Sequence, residues 1–329
     1  MNDNGSQASN DPHWALMQKL LEDQDRSTLG HGMRFLYLFS GPEVAGSVKH
    51  AIEELGGTMD CYDIRIDKSH DLCNDALWSQ ISAELRRGKF QGGIASPPCG
   101  TFSMCRRQDP GEAPGPVALR SEGTPGIYGL KDAPVEKKEA IRIGTLCAFR
   151  AFSMVEELLA LSPAGEVPMP AAIETPARRE GVPSVFKLPE AKSLAEDKRI
   201  GIVLGVQCPY GAVTPKPSEM LGTCGFQNWI KECPHPAQAW VVPWSGKQHW
   251  QSHPPLRGKQ WAIPKAEWNK SMLRWSRPGG PWLTQETENY PPAFNAFLAQ
   301  TLVAHARARL MLLEQQVVRF LVPELAQVT

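Results

Sequence analysis

The sequence lacks the features that mark membrane-spanning and secreted proteins. No stretch approaches the roughly 20 apolar residues that a membrane helix needs. The amino terminus does not resemble a secretory signal, so the eight cysteines are expected as reduced thiols rather than as disulfides. These absences predict an intracellular protein of the nucleus or cytoplasm that makes no contact with a membrane.

The chain also lacks an excess of charge of either sign, because 35 basic residues balance 35 acidic ones. The charge of the whole chain therefore gives no argument for nucleic acid, and its distribution matters more. A length of 329 residues permits a full α/β core with a smaller appended domain. The 29 prolines and 28 glycines are concentrated after residue 108 and predict long irregular connections there.

Apolar runs that end at glycine and proline turns predict an α/β fold. Strands are expected at 34–39, 58–64, 89–95, 171–173 and 200–206. The spacing of apolar residues predicts helices at 14–21, 44–55, 75–87, 135–161 and 293–321. Segment 1–30 is polar at its start and is expected to be disordered or only loosely docked.

A glycine turn, Ser40-Gly41, follows the first strand and leads into a helix. This order is typical of sites where helix-terminal amides and a close backbone approach receive an adenosine-type cofactor. An acidic residue about 20 positions further along commonly binds the ribose. Asp63, which lies 22 residues after Gly41, is the first candidate and Asp67 is the alternative. The other interpretation of either residue is a solvated turn aspartate.

The most distinctive stretch is Ile94 to Ser103, which reads I-A-S-P-P-C-G-T-F-S. Pro97 and Pro98 restrict φ and remove two backbone donors, so this segment is a stiff turn rather than a helix or a central strand. Such a turn presents a side chain at the carboxyl end of an α/β sheet, which makes Cys99 a candidate nucleophile. The alternative is a small packed cysteine. The irregular segment 104–132 that follows is expected to be a functional loop, or lid.

Residues 218–288 differ in composition from the rest of the chain. Most of the ten tryptophans lie here, and between Gly222 and Trp282 there are eight basic residues against two glutamates. Interleaved basic and aromatic side chains are typical of nucleic-acid contact, whereas the alternative is a small tryptophan core. We expect a small domain at 218–288 and a catalytic domain formed by 31–217 together with 289–322.

Four segments together resemble the DNA cytosine carbon-5 methyltransferase family, in particular a divergent branch associated with phages and retroelements. They are Phe39-Ser40-Gly41, Pro97-Pro98-Cys99 with Phe102-Ser103 after it, Glu174 in E-T-P, and Asn289 in N-Y-P-P. The resemblance covers about residues 35–302. It implies a Rossmann-like class I S-adenosylmethionine-dependent methyltransferase fold with a small, loop-rich, Trp-rich target-recognition insert, in a monomer that acts on DNA.

The resemblance also implies roles for individual residues. Cys99 would add to carbon-6 of a cytosine that is flipped out of a duplex or already single-stranded, while Glu174 assists at ring nitrogen 3. Arg178 is the first candidate for a cation that favours the thiolate, and the others are Arg106, Arg107, Arg120, Arg179 and Lys216. S-adenosylmethionine is expected to contact Phe39, Ser40, Gly41, Asp63, Asp71, Leu72, Pro97 and Asn289. Substrate contacts are expected from Ser103, Arg120, Gln207 and Lys216.

The sequence departs from the family pattern at four places. The glycine-rich first turn reads G-P-E-V-A-G, Gly100 follows the cysteine, Thr175 follows the glutamate, and a Q-x-R-x-R segment is not apparent. Three alternative functions stay open: a catalytically silent nucleic-acid-binding relative, an enzyme that acts on RNA, and transfer of a group other than methyl. Methylation of an exocyclic amino group is disfavoured, because a cysteine stands where an aromatic residue would stack the base.

A zinc site is a further hypothesis, with Cys208, Cys224, Cys233 and His235 as its ligands. Thiolates and imidazoles often stabilise small loop-rich inserts in this way. The spacing of these residues is irregular, so ordinary packed cysteines are the preferred interpretation and no metal is expected.

Overall fold

The computed structural model describes residues 12–22, 28–103, 117–163, 165–212, 214–226, 228–241, 248–253 and 289–321. Its strands are β1 (Arg34–Leu38), β2 (Thr58–Tyr62), β3 (Gly92–Ala95), β4 (Ala171–Pro176), β5 (Gly201–Gly205), β6 (Ser218–Gly222), β7 (Gln238–Val241) and β8 (Gln248–Gln251). Its α-helices are α1 (Pro12–Glu22), α2 (Val48–Glu54), α3 (Asp75–Arg86), α4 (Val135–Ala160), α5 (Pro189–Leu194) and α6 (Pro292–Leu321).

Six strands form one mixed, mostly parallel sheet in the order β2-β1-β3-β4-β6-β5. β1 pairs in parallel with β2 and β3, and β3 pairs in parallel with β4. β6 runs antiparallel between β4 and β5. The chain leaves β1 for β2 on one side and returns to β3 on the other, so a topological switch point lies at the carboxyl ends of β1 and β3. The α/β class expected from the sequence is confirmed.

The central strand β1 is buried on both faces of the sheet. Phe35 and Tyr37 pack with apolar residues of α2 and α6, whereas Leu36 and Leu38 pack with those of α3, α4 and α5. Alternate side chains of a strand point to opposite faces, so a strand covered on both sides needs apolar residues at every position. This requirement explains the uninterrupted run F-L-Y-L.

The amino-terminal helix α1 is docked on α6. Met17 of α1 is 1% exposed and packs against Ala304 and Ala308. The short docking helix expected at 14–21 is therefore present as Pro12–Glu22. Residues 1–11 and 23–27, which belong to the segment expected to be disordered, lie outside the described residues.

Strand β6 belongs to the main sheet although its residues fall within the segment expected to form the insert. Residues 218–222, which the sequence assigned to the small domain, pair with both β4 and β5. Trp229 is also part of the main core, where it packs with Phe294. Beyond these residues, β7 and β8 form a separate antiparallel two-stranded sheet. Residues 254–288, with much of the tryptophan-rich segment, lie outside the described residues.

Within the described residues, no helix is both long enough and apolar enough to cross a membrane.

Candidate active site

The P-P-C turn begins where β3 ends, at the carboxyl edge of the sheet. The side chain of Pro97 is buried, Pro98 is exposed, and Cys99 is half-buried. The backbone amide of Phe102 donates to the carbonyl of Cys99 at 2.8 Å, which closes a tight turn after the cysteine. Because Phe102 itself is 3% exposed and packs in the core, the turn is anchored on both sides of Cys99.

Glu174 lies on the neighbouring strand β4 and is 6% exposed. Ala95 is the register partner of Ile173, so Glu174 lies next to the start of the P-P-C turn. Its carboxylate oxygens have separate donors. The hydroxyl of Tyr290 donates to Oε2 at 2.5 Å, and Nε2 of Gln207 approaches Oε1 at 3.5 Å. The carboxylate is thus buried and oriented by two side chains from other parts of the chain.

Tyr290 is the centre of this polar network. Its hydroxyl lies 2.9 Å from Oγ of Ser96, which lies 3.1 Å from the hydroxyl of Tyr37. The ammonium group of Lys216 is 4.5 Å from the centre of the Tyr290 ring. Burial, followed by the negative charge of Glu174, raises the pKa of Tyr290 well above its ordinary value. The phenol therefore stays protonated and acts as a donor to Glu174.

Gln207 adds an acceptor without a partner beside Glu174. The residue is fully buried, and Nε2 also donates to Oγ of Ser218 at 3.1 Å. Its Oε1 has no hydrogen-bond partner in the part of the chain that the structure describes. A buried acceptor without a donor is costly, so a ligand N–H group would be stabilised here.

The glycine turn after β1 lies at the switch point. Phe39 and Gly41 have φ values of 60° and 74°, and a methyl group added at Gly41 would meet no atom within 4 Å. The amide of Gly41 donates to Oδ2 of Asp63 at 2.9 Å, and the amide of Arg65 donates to Oδ1 at 2.7 Å. Each oxygen keeps a further lone pair for a ribose hydroxyl. Open backbone beside an acidic side chain fits an adenosine-type ligand.

The two other acidic candidates make local turn contacts. Asp71 accepts a hydrogen bond from the amide of Cys73, and Asp67 accepts one from the amide of Ser69. Leu72 is 2% exposed and belongs to the core. Of the acidic candidates, Asp63 is the one that contacts the glycine turn.

Arg120 is buried, and its guanidinium group forms hydrogen bonds inside the protein. At 1% exposure, its guanidinium donates to Thr101 Oγ1 at 3.0 Å, Thr145 Oγ1 at 3.0 Å and the carbonyls of Ile127 at 2.8 Å and Ile141 at 2.6 Å. It also lies 3.9 Å from the centre of the Phe102 ring. Burial lowers its pKa to about 10. These contacts tie the loop after Cys99 to α4, so the part of the expected lid around Arg120 is anchored on the catalytic domain.

The structure does not connect the remaining predicted residues with this network through any contact described for them. Nε of Arg178 pairs with Glu219 of β6 at 2.7 Å, and Asn289 is exposed. Ser103 is half-buried after the turn, and residues 104–116, with Arg106 and Arg107, lie outside the described residues. The structure therefore brings Glu174, Gln207 and Lys216 together around Tyr290 and does not bring Arg178 or Asn289 into that contact set.

Sequence reasoning missed Tyr290 as the organising residue. It lies in the N-Y-P-P segment that the sequence analysis singled out, directly after Asn289. A tyrosine between a candidate site residue and two prolines, ahead of a helix, was the available signal.

Comparison with protein-family models, with curated proteins and with solved structures gave no match.

Proposed function

We propose that this protein is a DNA cytosine carbon-5 methyltransferase that uses S-adenosylmethionine. One observation carries the proposal: the Tyr290 hydroxyl contacts both Ser96 of the P-P-C turn and the carboxylate of Glu174. This bridge joins a cysteine-bearing turn and a buried carboxylate at the edge of the sheet, near the glycine turn. A thiol, a carboxyl group and a cofactor turn are the groups that the reaction requires. The fold is then a class I methyltransferase fold, with the tryptophan-rich segment as its target-recognition insert.

Cys99 supplies the nucleophile in this mechanism. Carbon-5 of cytosine is a weak nucleophile until a thiolate adds to carbon-6 and converts the ring into an enamine. The half-buried thiol of Cys99 forms this sulfur–carbon bond. After carbon-5 has been alkylated and has lost its proton, the same thiolate is expelled and the ring becomes aromatic again.

Glu174 compensates the charge that thiolate addition places on the ring. Its carboxyl group donates a proton or a hydrogen bond to nitrogen 3, where negative charge develops. Tyr290 and Gln207 hold the carboxyl group from the other directions. The unpartnered Oε1 of Gln207 is suited to accept a hydrogen bond from the exocyclic amine of cytosine.

The turn after β1 supplies a fitting place for the cofactor. Open space at Gly41 lets a ligand approach the backbone, and Asp63 offers its carboxylate to ribose hydroxyls. When bound, S-adenosylmethionine would supply the electrophilic methyl group. The residues of this turn would bind and orient it.

The partner is DNA in which the target cytosine has left the stack. Carbon-5 and carbon-6 cannot be attacked while the base is paired inside a duplex. The basic, tryptophan-rich segment between Gly222 and Trp282 supplies cations for phosphates and rings for bases. Most of this segment lies outside the described residues, and its role follows from composition.

A catalytically silent nucleic-acid-binding relative is the second candidate function. It is favoured by one observation: both oxygens of Glu174 already have donors within the protein. If the hydrogen bond from Tyr290 to Oε2 of Glu174 never opens, nitrogen 3 of a base cannot reach that oxygen. The protein would then bind DNA without modifying it.

Mass spectrometry of nucleosides from expressing cells tests the proposal. Cells that express the native chain should contain 5-methylcytosine in DNA above the level of cells that express Cys99→Ser. RNA from the same cells tests the RNA alternative, and an unexpected adduct mass would identify a different transferred group. If the nucleosides of both DNA and RNA were identical between the two strains, modification would be excluded and the catalytically silent relative would be the remaining candidate.

A further inference from the structure

Four potential metal ligands from three separate segments converge outside the set of side chains that contact Tyr290 and Glu174. Cys208 begins a single 3-10 turn after β5, Cys233 and His235 lie in the loop after Trp229, and His253 follows β8. Their ligand atoms all lie within 4.8 Å of one another. This group differs from the set predicted from the sequence, because Cys224 is 7% exposed within the main core and His253 takes its place.

Two distances within the group are close to those of a tetrahedral coordination shell. Sγ of Cys233 lies 3.2 Å from Nε2 of His253 and 3.4 Å from Nδ1 of His235. With Zn–S bonds of about 2.3 Å and Zn–N bonds of about 2.0 Å, a sulfur and a nitrogen ligand of one tetrahedral ion lie about 3.5 Å apart. The two imidazole rings meet edge to face with their centres 4.8 Å apart, so both can direct a nitrogen toward one point.

Hydrogen bonding alone is a poor explanation of this arrangement. Nitrogens of two imidazoles approach Cys233 Sγ, so the thiol can at best donate its one proton to one ring and accept an N–H from the other. Thiols are weak donors and weak acceptors, so they gain little from such a cluster. A cation that accepts electron pairs from all four side chains accounts for their convergence.

The sequence shows an independent feature of the same four residues. Among the eight cysteines and eight histidines of the chain, Cys208, Cys233, His235 and His253 are the ones followed directly by proline. Proline narrows the range of backbone conformations that are favourable for the preceding residue. The backbone of each ligand is thereby restricted before any metal binds, which reduces the entropy lost on binding.

We propose that Cys208, Cys233, His235 and His253 form a structural zinc site. Two thiolates and two imidazoles around a tetrahedral centre are the donor set that selects Zn²⁺, and four protein ligands leave no position for a substrate. The ion would fasten the loop and the β7–β8 hairpin to the turn that follows β5. This turn begins next to Gln207, so the metal would also hold a neighbour of Glu174 in place.

Metal analysis of the purified full-length chain tests this site without reference to catalysis. The native protein should contain one zinc per chain by inductively coupled plasma mass spectrometry. After chelation and reloading with Co²⁺, it should show the visible absorption of tetrahedral cobalt and a thiolate-to-cobalt charge-transfer band. Cys233→Ser and His253→Asn should each weaken zinc binding by more than the roughly 10- to 100-fold expected from loss of an outer contact.

Matched variants outside the group serve as controls. Cys224→Ala removes the cysteine of the sequence-based set, while Cys73→Ser and His31→Asn alter residues elsewhere; all three should keep one zinc per chain. Circular dichroism would show whether Cys233→Ser and His253→Asn retain their helices, so that metal loss is separated from unfolding. The site would be overturned if the native protein contained no zinc and its cobalt form showed no tetrahedral spectrum. It would also be overturned if Cys233→Ser and His253→Asn both bound zinc as the native protein does.

Discussion

The hydroxyl of Tyr290 donates a 2.5 Å hydrogen bond to Oε2 of Glu174 and thereby links residues 116 positions apart. Tyr290 precedes α6, while Glu174 lies on β4, so the bond joins the last part of the chain to the centre of the sheet. The same hydroxyl reaches Ser96 of the cysteine turn. A single phenol therefore determines how the carboxylate and the turn are oriented relative to each other.

Replacing Tyr290 with Phe should lower both stability and reactivity. The change leaves a buried carboxylate oxygen without its donor, at a cost of about 1–3 kcal/mol in the free energy of unfolding. We expect covalent trapping of a fluorinated cytosine to slow about tenfold, because Glu174 loses orientation. Tyr37→Phe, which removes only the hydroxyl beyond Ser96, is the control and should have a smaller effect. Faster trapping in Tyr290→Phe would mean that the phenol blocks Glu174.

Replacing Arg120 with Lys should loosen the loop after Cys99. A lysine cannot reproduce the fork that contacts Thr101, Thr145 and two carbonyls, so we expect a loss of about 2–4 kcal/mol in urea unfolding. Gly144→Ala should disturb the same contact, because a new Cβ would lie 2.8 Å from Oγ1 of Thr101. Gly123→Ala, where the added Cβ meets no atom within 4 Å, should leave stability unchanged. Equal stability of all three variants would contradict the tethering role.

Replacing Asp63 with Asn should weaken cofactor binding. Asparagine keeps an acceptor for the Gly41 amide but loses the charge offered to ribose hydroxyls. We expect the dissociation constant for S-adenosylhomocysteine, measured by calorimetry, to rise about tenfold. Asp67→Asn should have no such effect, because Asp67 contacts Ser69 in a local turn. A larger loss in Asp67→Asn would assign the ribose contact to that residue instead.

His305 of α6 should make the fold sensitive to mild acid. Burial and, secondarily, His13 lower its pKa from 6.5 to about 3, while its Nε2 donates to the carbonyl of Pro168 at 3.0 Å. The unfolded chain binds a proton that the folded chain excludes between these pH values, so stability falls as pH drops below 6.5. From pH 7 to pH 5.5 the loss should be about 1 kcal/mol.

His305→Gln keeps an N–H donor but does not titrate, so this variant should lose less stability between pH 7 and pH 5.5. The exposed His31→Gln should behave like the native protein. Urea unfolding at the two pH values measures the difference. Identical pH dependence in the native chain and His305→Gln would show that His305 is not the responsible group.

Strong local patterns made much of the fold predictable from the sequence. β1 needs apolar side chains on both faces, and its run F-L-Y-L shows this directly. The long helix expected at 135–161 is α4, Val135–Ala160. β6 was not predicted, because Ser218 and Glu219 interrupt its apolar pattern; both are buried, and Glu219 is compensated by Arg178 across the sheet. Such a pairing depends on tertiary contact that local periodicity does not contain.

The candidate site was likewise predicted only in part. Cys99 was singled out from its position after a strand, and Glu174 from the family resemblance; the strand register places the ends of these two strands side by side. Tyr290 was not predicted as a site residue, because its role depends on where the chain comes back to the sheet after the tryptophan-rich segment. Arg120 was named as a substrate contact, but its interior hydrogen bonds depend on the packing of α4, which spacing along the chain does not reveal.

Covalent trapping tests the central claim most directly. Purified protein is incubated with S-adenosylmethionine and duplex oligonucleotides of varied sequence that contain 5-fluorocytosine, whose fluorine cannot leave as a proton does. The native chain should form a denaturation-resistant adduct that maps to Cys99, and Cys99→Ser should form none. No adduct from a folded protein that binds S-adenosylhomocysteine, or an adduct that persists in Cys99→Ser, would contradict the assignment.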